Sequence, residues 1–552
     1  MAMLDAPSAS IRRRRLTIAG CALLVGIGVA LGLLQVCRRI NPFDEAIFLV
    51  GSDRIHSGDV PFRDFYALYP PGQYYVVAAL LETFGRSVLT VRVYCVVVRA
   101  LIALLLFLLS RRLMSLRLAL VSWGACVLWL CGYRNFGYPV FPALASALFG
   151  LELLASCVET QRPTASASAL RLWGAGAAMG AAALFRHDIA AYAVIASLPW
   201  LGALFLPRRA GVRPPVWAYP AGVAVAFCIP VAWLLAIVPV RELVFELISY
   251  PSTTYPLVRG LPYPALFPNG LSGNLLSDPR LLLASFASVP FYAPLLFYAL
   301  GILWWVSRVN TRGRAALVEP GNLTLLTLVI LGSLAFIPAR VRPDPGHAAA
   351  MLLLSYPVAM ALLGAAWRSG RRWRAPATAA LGIVTLMTLP APAFTLLGAA
   401  QAGLARASAD PAGTHCPDAG ADREETAAYL RSVVPPGGKI FVGCSRHDII
   451  FANEPILYFL SERLPGTRYH LLDPGVATTL PVQREIVDEL IRNRVEYIVL
   501  SSEFALVRER NLGGVSSGVT VLDEFLQAHY QLDRRFGTDL SVWREKGDTP
   551  LF

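Results

Sequence analysis

Four short stretches hold the residue types from which a reaction site at a membrane surface is built. "NPFDEAIF" (41–48) sets two adjacent carboxylates, Asp44 and Glu45, a few residues past the first long apolar run. "FRHD" (185–188) puts Arg186, His187 and Asp188 between two apolar runs with scarcely any polar linker. "ARVRPDPGH" (339–347) brings Arg340, Arg342, Asp344 and His347 into another short connection. Arg63 and Asp64 lie just ahead of "YALYPPGQYY" (66–75), which supplies Tyr74 and Tyr75. Ionisable groups at a membrane boundary are costly and usually functional. Paired arginines beside a hydrophobic core suit a phosphate at headgroup level, because a guanidinium matches its oxygens two at a time. A positioned carboxylate takes the proton of an attacking hydroxyl, a contribution of about 10²–10⁴-fold. Together these features describe a lipid-linked phosphosugar reacting at the outer membrane–water boundary, its tail in the bilayer and its phosphate on arginine.

Each stretch also has a plainer explanation. Asp44 and Glu45 would sit at a helix N-terminus, where negative charge is favoured, ahead of a solvated loop. On that helix they point about 100° apart, so at most one faces a given substrate. Arg186 and Asp188 would satisfy each other at a tight turn. Pro343, Pro345 and Gly346 would be ordinary turn punctuation. A further connection, 241–279, contains "ISYPSTTYPLVRGLPYPALFPNG" and the single Arg259, and reads as a semi-rigid aromatic cover.

The elements that must position these residues are set by composition. The 552 residues are 56% hydrophobic and 15% charged, outside the range of soluble globular chains. About eleven apolar runs approach the length of a bilayer crossing, at 16–36, 91–110, 118–131, 139–157, 172–185, 189–206, 216–240, 281–306, 323–338, 348–367 and 379–397. The basic connections "RRLMSLR", "PRRAGVR", "SRVNTRGR" and "WRSGRRWR" all fall on one side, as the positive-inside rule requires. The candidate residues fall on the other. This parity holds only if "GQYYVVAALLETF" (72–84) stays at the interface without crossing. The fold class is therefore an α-helical polytopic membrane protein with a small C-terminal α/β extracytoplasmic domain. The expected division is 1–399 for the transmembrane part, with 37–90 as its first outer loop, and 400–552 for the outer domain.

Residues 401–552 carry 16 Lys/Arg against 21 Asp/Glu, so of the net +13 the first 400 residues hold +18. Those charges sit in short connections, which topology explains better than nucleic acid does, so no nucleic-acid partner is expected. In the tail, 422–434 and 481–493 read as helices, and 439–444 and 495–502 as buried strands. Seven of the nine cysteines, Cys37 among them, lie in or beside apolar runs as small hydrophobes. Cys416 and Cys444 lie in the polar tail, where an oxidising compartment would allow them to pair. There is no P-loop motif, and "HCPDAG" (415–420) lacks a second ligand pair for zinc. Apart from Glu152, charges are read at the rim, away from the middle of spans where an ion path would need them.

The order of these motifs resembles the GT-C fold membrane glycosyltransferases, near the protein O-mannosyltransferases, the lipid A aminoarabinose transferases and the lipopolysaccharide-core sugar transferases of rhizobia. The residues that carry it are "DEA" after the first span, "IHSGDVPFRDF", "YPPGQYY", "FRHD", "RPDPGH" and "LPGTRYH" (464–470). The resemblance implies a polyprenyl-phosphate sugar donor, a glycolipid, glycan or protein acceptor, inversion at the anomeric carbon, and a multi-pass protein of the bacterial inner membrane with a periplasmic C-terminal domain. It makes Asp44 the general base, with Glu45 as fallback. Arg63, Asp64, Tyr74, Arg186, His187, Asp188, Arg340, Arg342, Asp344 and His347 become candidates for the donor's phosphate and sugar. Aminoarabinose transferases carry an acidic–basic pair just before the two prolines, where this chain has Leu68 and Tyr69. A divalent metal is thus left open, and no other cofactor is implied. A transporter or flippase of lipid-linked saccharides would use the same arginines without a base. An O-antigen ligase would gather its arginines into one large outer loop.

Overall fold

The computed structural model describes residues 6–133, 136–159, 164–205, 215–266, 279–370 and 419–547, with isolated positions between 374 and 400. Ten of the eleven apolar runs are helices there: Ala6–Leu33, Val88–Leu113, Leu116–Gly132, Val140–Glu159, Ala165–Phe185, His187–Phe205, Ala218–Ile237, Pro279–Arg312, Pro320–Leu334 and Ala349–Ser369. The eleventh, 379–397, falls almost entirely outside the described residues. Seven described helices are long and apolar enough to cross a membrane, and Thr17–Leu33 and Leu116–Gly132 are shorter apolar ones.

These helices are apolar all round because their outer faces also meet hydrocarbon. Within Val140–Glu159, Leu148, Leu151 and Leu154 are fully buried while Phe149 is half exposed. Small residues set the closest packing. A Cβ on Gly176 would stand 1.9 Å from the Tyr219 carbonyl oxygen, and one on Gly222 would stand 2.1 Å from that of Trp173. Without them the helices Ala165–Phe185 and Ala218–Ile237 could not approach so closely. Glu152, the exception among the expected charges, is held with Glu159 by Arg112, through contacts of 2.6 and 2.8 Å.

The first outer loop folds as two helices, Asp44–His56 and Gly72–Phe84, packed on each other. The second has 13 residues, about 20 Å, too short to cross. A Cβ on Gly51 would stand 2.6 Å from the Tyr74 ring, so this helix pair depends on glycine.

The tail carries a five-stranded sheet of β1 (Lys439–Cys444), β2 (Leu464–Pro465), β3 (Tyr497–Ser501), β4 (Tyr530–Phe536) and β5 (Leu540–Glu545). Its order is β2-β1-β3-β5-β4, with β2, β1 and β3 parallel, β5 antiparallel to β3, and β4 antiparallel to β5 in a hairpin. The expected helices appear as Ala421–Val433 and Leu480–Arg492. The hairpin was not anticipated: β4 alternates poorly, with Tyr530 and Phe536 buried and the polar residues between them exposed. One continuous hydrophobic core joins the outer loop to the sheet, with Ile47, Phe65 and Tyr66 in the same cluster as Ile440, Leu457 and Val499.

The cysteines differ from expectation. Cys444 is a free, buried thiol that donates to the Ala452 carbonyl at 3.6 Å, so a Cys416–Cys444 bridge is not formed. Cys37, read as a buried hydrophobe, is disulfide-bonded, with its partner outside the described residues.

Candidate active site

A cavity of about 930 Å³ lies where the helical bundle meets the tail. Asp44, Tyr255, Arg259, Arg342, His347 and Asp473 stand on its wall, drawn from four separate parts of the chain.

The acidic edge is built by Asn41. Its Oδ1 accepts from the backbone N–H groups of Phe43 at 3.0 Å and Asp44 at 2.7 Å, satisfying the exposed start of the Asp44–His56 helix. Its Nδ2 donates to Asp44 Oδ2 at 2.9 Å, which fixes the carboxylate against the cavity. Glu45 points elsewhere. Arg92 Nε and Nη2 donate to its two oxygens at 2.8 and 2.7 Å, and the Asn41 backbone N–H donates to Oε1 at 2.8 Å. Both groups of this pair are buried, and the carboxylate is committed to holding the turn.

The cationic edge is built around Arg342, which donates to Asp344 Oδ2 at 3.0 Å and to both Glu509 oxygens at 3.0 and 2.6 Å, and also to the Arg259 carbonyl. Burial works to raise the Asp344 carboxyl, but its bonds to His347 and the Arg342 charge hold it below its ordinary value of 3.8. Glu509 is likewise below its ordinary 4.5, because Arg342 outweighs burial. Asp344 is hydrogen-bonded to His347 Nδ1 at 2.9 Å, and Nε2 of that ring meets the Tyr255 hydroxyl at 3.2 Å. Arg259, buried between the rings of Phe43 and Phe451, donates to Asp473 Oδ1 at 2.6 Å. That bond uses one of its five N–H groups.

The other expected residues lie apart from this cavity. Arg340 is exposed and absent from the wall. Arg63 pairs with Asp64 at 2.7 Å in an exposed turn, and Asp64 also accepts from the Val60 N–H. Tyr74 is fully buried, packed against Phe48 at 4.9 Å and Phe65 at 5.8 Å. Arg186 closes on Asp188 at 2.6 and 2.9 Å, and Asp188 Oδ1 accepts from the Ile189 N–H. The plainer reading of "FRHD" as a self-satisfied turn fits this geometry, with Arg186 in electrostatic reach of Tyr69 and Tyr138, which do line the cavity. His187 starts the next helix away from the wall.

Sequence reasoning missed Arg92, Arg99 and Asp473 altogether, and it treated Arg259 only as part of a cover. Arg92 and Arg99 lie inside the helix Val88–Leu113, seven residues apart and both buried. A charge within an apolar run must be paired, so the two arginines in "TVRVYCVVVRAL" were the available signal. Among the described residues no group of three or more His, Cys, Asp or Glu has a metal-ligand arrangement.

No protein-family model matches the chain, and no curated protein matches its sequence. Among solved structures, ArnT from Cupriavidus metallidurans bound to undecaprenyl phosphate aligns at a TM-score of 0.54 with 14% identity, covering 95% of this chain and 98% of its own. AglB, the oligosaccharyltransferase of Archaeoglobus fulgidus in complex with an inhibitory peptide and a dolichol-phosphate, aligns at 0.49 with 13% identity, over 97% of this chain and 75% of its own. The arabinofuranosyltransferase AftD from Mycobacteria aligns at 0.40 with 11% identity, over 96% and 40% respectively. The likeness to ArnT, which spans nearly the whole of both chains, is one of fold.

Proposed function

We propose that this chain, which has the GT-C fold of membrane glycosyltransferases, moves a hexosyl or pentosyl group from a polyprenyl-phosphate donor to an acceptor hydroxyl at the extracytoplasmic face of a bacterial inner membrane. The observation that carries the reading is the cavity that one fixed carboxylate, Asp44, lines together with Arg259, Arg342 and His347. The acceptor is a glycolipid, glycan or protein, and the undecaprenyl phosphate bound to ArnT supports the donor class.

In this reading the Asp44 carboxylate takes the proton of the acceptor hydroxyl as its oxygen attacks the anomeric carbon from the side opposite the phosphate, inverting that centre. The bond to the phosphate oxygen breaks with its electron pair, and polyprenyl phosphate leaves as an anion. Guanidinium donors already in place meet that charge, so little reorganisation is needed at the moment of reaction. Arg259, with most of its N–H groups uncommitted, and Arg342 take this role in place of the outlying Arg63 and Arg340. Asp344 holds the His347 ring so that its far nitrogen, and through it Tyr255, faces the sugar.

Purified protein incubated with a polyprenyl-phosphate sugar and envelope glycolipids should release free polyprenyl phosphate. Asp44→Asn should lower that release by about 10²–10⁴-fold while the thermal unfolding profile is unchanged. Wild-type activity in Asp44→Asn removes the base. Movement of donor across a bilayer with no release of polyprenyl phosphate makes the protein a transporter.

A further inference from the structure

The connection that follows β3 in the tail is built inside out for a loop in water. Over 509–513 its residues alternate. Glu509 holds Arg342, Asn511 Nδ2 donates to the Gly260 carbonyl, and Gly513 lies against the Val258 carbonyl too closely for a Cβ. Arg510 and Leu512, between them, are exposed. Leu506 is 92% exposed, Leu512 60%, Val515 62% and Val507 38%. Single exposed leucines are ordinary, but four large apolar side chains over 506–515 make a patch.

Charge and position say what covers this patch. It carries Arg508 and Arg510, while its one carboxylate, Glu509, is spent on Arg342. Arg508 donates to the Ala505 and Val507 carbonyls, which bear no charge. Arg510 makes no hydrogen bond or ion pair among the described residues. Apolar side chains set among unneutralised cations match the boundary of a bilayer, where acyl chains lie beneath phosphates. The loop also sits at that level. Arg342 directly follows the helix Phe336–Val341, which closes a segment long and apolar enough to cross a membrane. The Leu261 N–H donates to the Val341 carbonyl at 3.0 Å, so the connection that the loop grips is fixed to that same end. Ile337 and Leu257 are 51% and 57% exposed, so apolar surface of the helical part continues up to the residues the loop touches.

We propose that this loop is seated in the membrane leaflet on the tail's side, with Leu506, Leu512 and Val515 among the upper acyl chains and Arg508 and Arg510 on lipid phosphates. The partner is a phospholipid surface, and an anionic one is held more strongly because each guanidinium gains from its net charge. This seating is independent of which reaction the large cavity performs, but it reaches that cavity. Phe504, two residues before Leu506, lines it, and Glu509 holds its Arg342. One loop thus joins the leaflet to the cavity wall, and the α/β unit is held to the bilayer as well as to the helices.

Photo-crosslinking of the full chain in nanodiscs tests the seating. The discs are made of phosphatidylglycerol or phosphatidylcholine, each doped with the same lipid bearing a diazirine high on its acyl chain. After irradiation, mass mapping should find lipid adducts within 505–516 as well as on the span Pro320–Val341. Leu506→Glu combined with Leu512→Glu should cut the loop adducts about tenfold or more. Adducts on the span should stay unchanged in that variant, which reports that it is folded and inserted. Arg508→Gln combined with Arg510→Gln keeps the apolar patch and should lower the ratio of loop adducts in phosphatidylglycerol to those in phosphatidylcholine about fivefold or more. Adducts on the span with none in the loop overturn the proposal. A loop protected from amide exchange yet free of adducts is covered by another part of the chain or by a second copy, which overturns it equally. Undiminished loop adducts in the leucine variant, or an unchanged lipid ratio in the arginine variant, also sink it.

Discussion

The two turns that line the large cavity have their charged anchors in different parts of the chain. The 41–45 turn is tied into the helical bundle: besides Glu45, Arg92 holds the Val36 and Arg38 carbonyls at 2.5 and 2.6 Å. The 342–347 turn is tied to the tail. Arg342 reaches Glu509, and Asn511 Nδ2 donates to the Gly260 carbonyl at 3.0 Å beside it. The charged anchor of the carboxylate's turn is therefore in the membrane scaffold, with the tail adding the Ile456 N–H bond to the Pro42 carbonyl at 3.2 Å, while the charged anchor of the cationic turn is in the α/β unit. A base gains most from being fixed, because small misplacements at the attacking atom are costly. The cationic wall must admit a lipid phosphate and release it again, which favours a fastening that can be undone.

Removing the bundle's fastening should have the largest effect. Arg92→Leu leaves the buried Glu45 carboxylate without its cation, a change that typically costs about 3–5 kcal/mol. The variant should unfold at a markedly lower temperature in detergent. Adding Glu45→Leu to Arg92→Leu should recover much of the loss, since no unpaired charge then remains. Unfolding of the single variant at the wild-type temperature would mean that the 41–45 turn does not rest on this pair.

The contrast between the walls also marks what was legible in the sequence. Ten apolar runs were readable as helices because hydrocarbon imposes a length and composition that soluble helices do not share. "DEA" and "RPDPGH" were readable as rim residues because ionisable groups beside an apolar run need a reason. Which carboxylate faces the cavity was not readable: that choice depends on Arg92, 47 residues from Glu45 along the chain. Tyr74 could not be told from a cavity tyrosine, since its burial comes from Phe48 and Phe65 and leaves no local pattern. Asp473 was hidden for the same reason, because its partner Arg259 is 214 positions away. Tertiary pairing between distant loops decided the site, and no periodicity records it.

A smaller effect is expected on the tail-bound wall. Glu509→Gln keeps an acceptor for Arg342 but removes the charge, and both side chains of the pair are about 15% exposed, so solvent screens it only partly. Charge-assisted hydrogen bonds exceed neutral ones by enough to predict about a three- to tenfold rise in opening of this contact. Amide exchange over 503–515 should quicken accordingly, and the KM for donor should rise with kcat little changed. Unchanged exchange in that segment would show that the tail is held by its apolar core alone.

The smallest effect is a dependence on pH, and its sign follows from the depressed carboxyls. Asp344 and Glu509 have folded values below their ordinary 3.8 and 4.5, so the opened form binds protons more readily than the closed one. Their contribution to holding the cationic wall is complete above those ordinary values, and it is lost as pH falls through the lower folded ones. Exchange protection over 503–515, corrected for the intrinsic rate at each pH, should thus be steady from about pH 7 to about pH 5 and fall only in stronger acid. The amides of 45–52 should show no matching loss in that range if the acidic wall is fastened independently. In Glu509→Gln the acid limb should flatten, because one of the two titrating groups is gone. Loss of protection in both segments at the same pH would mean that the two walls open together, and that the bundle and the tail form a single fastening.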